Sequence, residues 1–221
     1  MKKEWIKKLA IAGLSVALPF AVCAGVNALL VNADGSTVYV STSGKDYYNG
    51  TSAMPYRTLS RALEKVEDGG TVVIKDSVAV DGWTAHQKTV TVTGGSLDAT
   101  SLSSLQIKDN VTFTDIQILV NANEYICANG YTLIMDSGVV LSNAIDLYGG
   151  GDSTTVAGTH VELYSGTYKC VYGGSLRGVV DGDTHLVVGE RSTPVLTLPT
   201  IAACSISLAA DIAIPLRAVR I

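Results

Sequence analysis

Two carboxylates and a guanidinium group near residue 180 are the side chains best suited to chemistry. Asp181-Gly182-Asp183 places two aspartates two residues apart, and Arg177 precedes them in the loop GGSLRG. Alternate residues of a strand face the same side, so both aspartates would meet one calcium ion. Because Asp-Gly-Asp between Val180 and Thr184 is also ordinary turn chemistry, we favour a turn over a metal site.

Two histidines form a second candidate group. His160 and His185 lie at matching positions of an internal repeat, so parallel strands would stack them about 5 Å apart. A metal or catalytic pair would need a third ligand, which the sequence does not show. We therefore favour a plain stacking ladder.

Cysteines and tyrosines complete the set of candidate residues. Cys127, Cys170 and Cys204 show no CxxC or zinc-ligand spacing. A Cys127–Cys170 disulfide is one interpretation, and single buried thiols are the one that we favour. Six tyrosines would either stack on sugar rings or fill coil corners, and we favour packing; they are Tyr125, Tyr131, Tyr148, Tyr164, Tyr168 and Tyr172.

Strand signals dominate the elements that position these residues. One helix is predicted over about 58–67, where an apolar stripe at i, i+3, i+4 and i+7 begins at Leu59, Thr58 is the N-cap and Gly69-Gly70 follows. Short β-branched runs separated by Gly, Asn and Asp follow it. They are Thr71–Lys75, Thr89–Thr93, Leu105–Ile107, Val111–Phe113, Ile116–Val120, Tyr131–Met135 and Val139–Leu141.

An internal repeat indicates how the strands are arranged. Tyr148 and Tyr172 each begin a Tyr-Gly-Gly motif, and the two histidines follow them, giving a period of about 24 or 25 residues. A unit this short cannot bury its own apolar face and must stack on its neighbours. We therefore predict an all-β fold, a parallel β-helix whose coils span residues 71–189.

Residues 190–221 differ from the coils. The chain has twenty glycines over residues 34–189 and none over residues 190–221, which contain three prolines. This atypical apolar tail has four interpretations: a C-terminal cap, a strand pair, a second anchor, or out-of-frame sequence that replaces the rest of a longer solenoid. The last interpretation would make the chain a truncated fragment.

One segment carries a family resemblance. In order it contains Tyr39-Val40-Ser41, Gly44, Asp46, Asn49-Gly50-Thr51, Pro55, Thr58-Leu59, Ala62-Leu63 and Gly69-Gly70-Thr71. Over residues 38–73 it resembles the N-terminal entry segment of pectin-lyase-like right-handed β-helix proteins. The resemblance implies a right-handed solenoid whose cap, residues 34–70, includes the helix. The Tyr-Gly-Gly coils loosely resemble those of bacterial surface β-helix proteins.

The resemblance also implies a function class. Such proteins are mostly polysaccharide lyases or glycoside hydrolases, which need calcium-bound carboxylates with an Arg or Lys base, or clustered carboxylates. Arg177, Asp181 and Asp183 would be the catalytic candidates, and Asp181 and Asp183 the calcium ligands. Their spacing does not select such a site, so we lean away from an enzyme and predict no cofactor beyond this calcium ion.

The first 33 residues are typical of an export signal. Lysines precede an apolar run from Leu9 to Ala24, and we predict a signal helix cleaved after Ala33. A retained anchor and a lipoprotein at Cys23 are the alternatives. Removal of these residues would shift the net charge from −4 to about −7, which argues against nucleic acid as a partner.

These observations together predict a secreted or cell-surface β-helix module. We expect an adhesin-like or structural protein that binds cell-surface or extracellular polysaccharide and meets the membrane only through its N-terminal segment. The alternative is a truncated carbohydrate-active enzyme whose site is missing or lies near Arg177, Asp181 and Asp183.

Overall fold

Short strands joined by tight turns make up most of the regular structure. The computed structural model describes residues 35–189 and 200–201, so the predicted signal segment and most of the tail lie outside the described residues. The described helix is α1 (Leu59–Lys65). The described strands are β1 (Thr37–Val40), β2 (Thr71–Ala79), β3 (Thr89–Asp98), β4 (Leu105–Gln106), β5 (Asn110–Thr114), β6 (Gln117–Leu119), β7 (Tyr125–Cys127), β8 (Thr132–Met135), β9 (Val140–Leu141), β10 (Ile145–Tyr148), β11 (Thr159–Leu163), β12 (Thr167–Tyr172), β13 (Thr184–Val188) and β14 (Thr200–Ile201).

The strands pair in parallel, each with its counterpart in the neighbouring coil. The first sheet has the order β1-β2-β3-β5-β8-β11-β13, and β6 and β9 form a branch that starts from β3. The second sheet has the order β4-β7-β10-β12-β14. The chain therefore winds as a parallel β-solenoid of about 5 turns, which confirms the predicted fold class.

The core consists of columns of apolar side chains that stack from coil to coil. Alternate residues of each strand point inward, and in-register pairing places like positions above one another. In the first sheet one buried column contains Val92, Phe113, Met135 and Leu163. In the second sheet the corresponding column contains Leu105, Ile126, Leu147 and Val171.

The predicted repeat register is confirmed. Tyr148 pairs with Tyr172, and His160 pairs with His185. Along the first sheet from β2 to β13, coil length varies from 20 residues between the paired Val72 and Val92 to 28 between the paired Leu133 and Val161. This variation explains why only two copies are recognisable in the sequence.

A bend at corresponding positions redirects adjacent coils from the first sheet to its branch. Gly94, in the middle of β3, has a φ of 82°, and Asp115 follows β5 at the equivalent position with a φ of 46°. Both lie in the left-handed region, which glycine and aspartate tolerate better than most residues. As a result the two halves of β3 pair with different strands, β5 and β6.

The predicted helix is confirmed, with an earlier end. The Thr58 side chain accepts a hydrogen bond from the Arg61 backbone N–H at 3.2 Å, as expected of an N-cap. Leu59, Ala62 and Leu63 are buried, and the helix packs against β1 and β2. It ends at Lys65 rather than residue 67 because the next residue is already extended. In the described part of the chain, no helix is long and apolar enough to cross a membrane.

Candidate functional site

The outward face of the second sheet combines aromatic and charged groups. On β7, β10 and β12 the inward positions are apolar and buried, so the alternate positions face out. These outward positions hold Tyr125 on β7, Asp146 and Tyr148 on β10, and Tyr172 on β12. We call this set the tyrosine face.

The tyrosine rings of neighbouring coils contact one another. Tyr148 and Tyr172 stack with centroids 4.7 Å apart and an interplanar angle of 5°. Tyr125 meets Tyr148 edge-on at 5.9 Å and 90°. Tyr148 and Tyr172 each cover one face of the other ring, so the ring edges and hydroxyl groups also form part of this surface. The tyrosine face is therefore a hydrogen-bonding surface as much as an aromatic one.

Electrostatics keep the central hydroxyl of this face protonated. Burial, and after it the nearby carboxylate of Asp146, raises the pKa of Tyr148 to about 12. The Oδ1 atom of Asp146 is itself buried and has no hydrogen-bond partner among the described residues. A buried acceptor without a partner is costly, so this oxygen is an unsatisfied acceptor beneath the tyrosine face.

An ion pair borders the tyrosine face. The Nε and Nη2 atoms of Arg177 donate to Oδ1 of Asp152 at 2.9 and 2.6 Å. The Tyr125 hydroxyl donates to Oδ2 of the same aspartate at 3.3 Å. The hydrogen bonds and charge of Asp152 raise the pKa of Arg177. Asp152 thus holds a cation beside the tyrosines, with the Arg177 side chain 67% exposed.

The sequence-predicted carboxylate pair lies elsewhere. Asp181 and Asp183 are exposed in the loop before β13, where the Asp181 N–H donates to the Val156 carbonyl oxygen and the Asp183 carbonyl oxygen accepts from Thr159 N–H. These contacts agree with the turn interpretation. In the described part of the chain, no hydrogen bond or ion pair joins Arg177 to either aspartate. The calcium and catalytic roles of the three residues stay predictions.

The histidine pair has a third partner that the sequence does not single out. His160 and His185 stack with ring centroids 4.4 Å apart, and Nε2 of His160 lies 2.8 Å from Oε1 of Glu162. One ligand atom from each of the three residues lies within 4.8 Å of the others. The sequence spacing could have identified Glu162, because it lies two residues after His160 on β11 and therefore on the same face of the strand.

The alternative interpretation, a Cys127–Cys170 disulfide, is wrong. Cys127 is a free, buried thiol, whereas Cys170 is disulfide-bonded. The two residues lie on β7 and β12, which β10 separates, so their backbones are about 9.6 Å apart or more, too far for one disulfide. Burial raises the pKa of Cys127 to about 11. The favoured prediction of single buried thiols is correct for Cys127 and wrong for Cys170.

A shallow cleft at the other end of the described chain lies between α1 and the loop after β2. Asp46, Arg61 and His86 are among the residues that line it. The Asp46 carboxylate accepts hydrogen bonds from the backbone N–H groups of Arg57 and Thr58. The hydrogen bonds of this aspartate fix the start of α1. Its carboxylate oxygens are therefore already used within the fold, and we place the candidate site at the tyrosine face.

Comparison with known proteins returned no matching family model, no matching curated protein and no matching solved structure. The likeness of residues 38–73 to pectin-lyase-like proteins therefore stays a resemblance. The function is argued from the geometry of the tyrosine face and its surroundings.

Proposed function

We propose that the protein is an exported surface module that binds a polysaccharide along the tyrosine face. The observation that carries the proposal is the in-register stack of Tyr148 and Tyr172 beside the exposed Arg177–Asp152 pair. The proposal of export rests on residues 1–33. It predicts that N-terminal sequencing of the exported protein will find Asp34 as the first residue. A mature N-terminus at Met1 would contradict cleavage after Ala33, and recovery of the protein only inside the cell would contradict export.

A polymer of repeating units suits a surface built from repeating coils. Successive coils lie about 4.8 Å apart, so the tyrosine face offers similar groups at regular intervals. Tyrosine provides an apolar edge and a hydroxyl, which match the alternating C–H and O–H groups of a sugar ring. The Arg177 side chain, 67% exposed, adds a charged donor beside the tyrosines.

Charge argues against a nucleic acid as the polymer. The chain has 16 Lys and Arg against 20 Asp and Glu, and carboxylates flank the tyrosines. Binding to phosphate backbones depends on clustered cations that displace counterions. A neutral or weakly charged polysaccharide avoids repulsion from Asp146 and Asp152.

A second candidate, a carbohydrate-active enzyme, is favoured by one observation. Arg177, one of the predicted catalytic candidates, has a carboxylate partner next to a tyrosine, although that partner is Asp152 rather than Asp181 or Asp183. An enzyme would cleave the polymer that it binds, and a binding module would not. Measurement of new reducing ends or unsaturated uronates separates the two candidates.

The test is a binding assay of the full-length chain against a panel of neutral and uronate-containing polysaccharides. Tyr172→Ala and Arg177→Ala should each weaken binding by about tenfold or more, as expected when a central Tyr or Arg is truncated. Matched controls are Tyr47→Ala, at an exposed tyrosine outside the face, and Lys108→Ala, at an exposed cation. If no polysaccharide binds, or if the controls weaken binding equally, the proposal is wrong.

A further inference from the structure

We propose that His160, Glu162 and His185 form a binding site for a divalent transition metal of the zinc type. The site lies on the first sheet and links β11 to β13, so it is separate from the tyrosine face and does not depend on the polysaccharide proposal. It would connect the last two coils of the first sheet in the described chain.

The backbone register brings the three groups together. His160 pairs directly with His185 across the parallel ladder, and Glu162 follows His160 by two residues on the same face. A zinc ion bound tetrahedrally at about 2.0–2.2 Å from each ligand would hold the ligand atoms roughly 3.3 Å apart. The three atoms already lie within 4.8 Å of one another, and the exposed His185 side chain can rotate to close the difference.

A neighbouring hydroxyl orients the carboxylate. The Tyr164 hydroxyl donates to Oε2 of Glu162 at 2.8 Å, while Oε1 of the same carboxylate lies 2.8 Å from Nε2 of His160. Metal-binding carboxylates commonly have such an outer partner, which fixes the oxygen that faces the ion. A simple surface hydrogen bond between His160 and Glu162 would need neither this hydroxyl nor an in-register histidine.

The ligand types select the metal. Imidazole nitrogens favour zinc, copper, nickel and cobalt, whereas calcium and magnesium prefer all-oxygen sites. Three protein ligands leave a fourth position of a tetrahedral ion to water or to a group from a ligand. The set of two histidines and one glutamate therefore fits zinc and does not fit calcium.

The metal would stabilise the least buried strand of the described first sheet. No residue of β13 is fully buried, and Val188 is 36% exposed. A metal that bonds to both β11 and β13 binds the folded chain better than the unfolded one. The free energy of unfolding therefore increases as the metal concentration increases. In a solenoid such an effect acts mainly on the coil that the metal joins.

Isothermal titration of the full-length chain, purified without a polyhistidine tag, tests the site with zinc chloride and calcium chloride as probes. We expect one zinc ion per chain and no calcium binding at this site. His185→Ala and Glu162→Gln should abolish stoichiometric binding. Tyr164→Phe should weaken zinc binding roughly 10- to 100-fold, as the loss of an outer-shell partner does.

Two controls separate the proposed site from other zinc ligands. His86→Gln replaces the third histidine of the chain, and Cys127→Ser replaces a buried thiol; both should retain full zinc binding. Zinc should also raise the thermal midpoint of the wild type and leave that of His185→Ala unchanged. Binding that survives His185→Ala, binding that is lost in Cys127→Ser, or the absence of stoichiometric binding in the wild type overturns the proposal.

Discussion

The N-terminal coils and the last coils of the described chain use their carboxylates differently. Among the first coils, the Asp109 carboxylate is buried at 1% exposure and accepts hydrogen bonds from Trp83 Nε1, His86 N and Lys88 N. In the later coils, Asp152 and Glu162 bond mainly to side chains on outward faces. The first arrangement fixes a loop of the fold, and the second holds charged and polar side chains at the surface.

The burial of apolar side chains also differs between the early coils and the last described coil. In β5 the inward residues Val111 and Phe113 are at most 1% exposed, so the strand alternates between buried and half-buried positions. In β13 every residue is half-buried or exposed. The early coils therefore contribute more apolar burial per strand, whereas the last described coil depends more on side-chain bonding across the ladder.

The contrast gives a rule for separating structural from available carboxylates. A carboxylate whose oxygens accept backbone N–H groups, as in Asp46, Asp76 and Asp109, already uses its bonding capacity to hold the chain. One that bonds to side chains at the surface can exchange those partners for a ligand at low cost. Asp152 and Glu162 belong to the second kind, and for this reason our two proposals concern the later coils.

The largest expected effect is the loss of the Asp109 carboxylate. Asp109→Ala leaves the buried Trp83 Nε1–H and the backbone N–H groups of His86 and Lys88 without their acceptor. Each unsatisfied buried donor costs about 1–3 kcal/mol, so we expect the free energy of unfolding to fall by roughly 3–5 kcal/mol. Urea denaturation of both proteins measures the difference.

The matched control is Asp183→Ala, at an exposed aspartate in the loop before β13. Its free energy of unfolding should change by at most about 0.5 kcal/mol, because the structure gives its side chain no hydrogen bond or ion pair among the described residues. A loss below about 1 kcal/mol in Asp109→Ala, or a similar loss in both variants, would remove the distinction between the two regions.

Much of this fold is predictable from the sequence because backbone geometry is local. The spacing of Leu59, Ala62 and Leu63 predicts α1, and the Tyr-Gly-Gly repeat predicts the register that pairs Tyr148 with Tyr172. Both depend on periodicities that a single sequence displays. The fold class and the short strands follow from the same kind of evidence.

The candidate site is less predictable because its contacts join different coils of unequal length. Arg177 is closer in sequence to Asp181 than to Asp152, yet it pairs with Asp152, 25 residues away. The Cys127–Cys170 pairing fails because an intervening strand separates β7 from β12. Sequence proximity is a poor guide when neighbours in space are one coil apart.

The next largest effect is a selective loss of stability in acid. Burial raises the pKa of Asp109, but the hydrogen bonds from His86, Trp83 and Lys88 outweigh it, so the net pKa lies below its usual value. A carboxyl group with a lowered folded-state pKa stabilises the protein above its unfolded pKa, near 4, and this contribution is lost as the pH falls through the folded value. We expect the free energy of unfolding to decline below about pH 4.

The Asp109→Asn variant provides the comparison, since it removes the titrating group and keeps an acceptor oxygen. Its free energy of unfolding should be lower at neutral pH and should depend less on pH below 4. Hydrogen exchange should locate the loss of protection in the wild type within β2, β3 and β5 before it reaches β11. An unchanged slope in the variant, or earlier loss in β11, would contradict the prediction.

The smallest effect on stability is expected at the ion pair beside the tyrosine face. The side chains of Arg177 and Asp152 are 67% and 30% exposed, and exposed ion pairs add little to stability because water and salt screen them. Urea denaturation should therefore show nearly the same unfolding midpoint for Arg177→Ala as for the wild type. The same substitution should weaken polysaccharide binding about tenfold. A change in stability comparable to that of Asp109→Ala would mean that Asp152 holds the fold together as Asp109 does. Asp152 and Arg177 would then not be available to bind a ligand beside the tyrosine face.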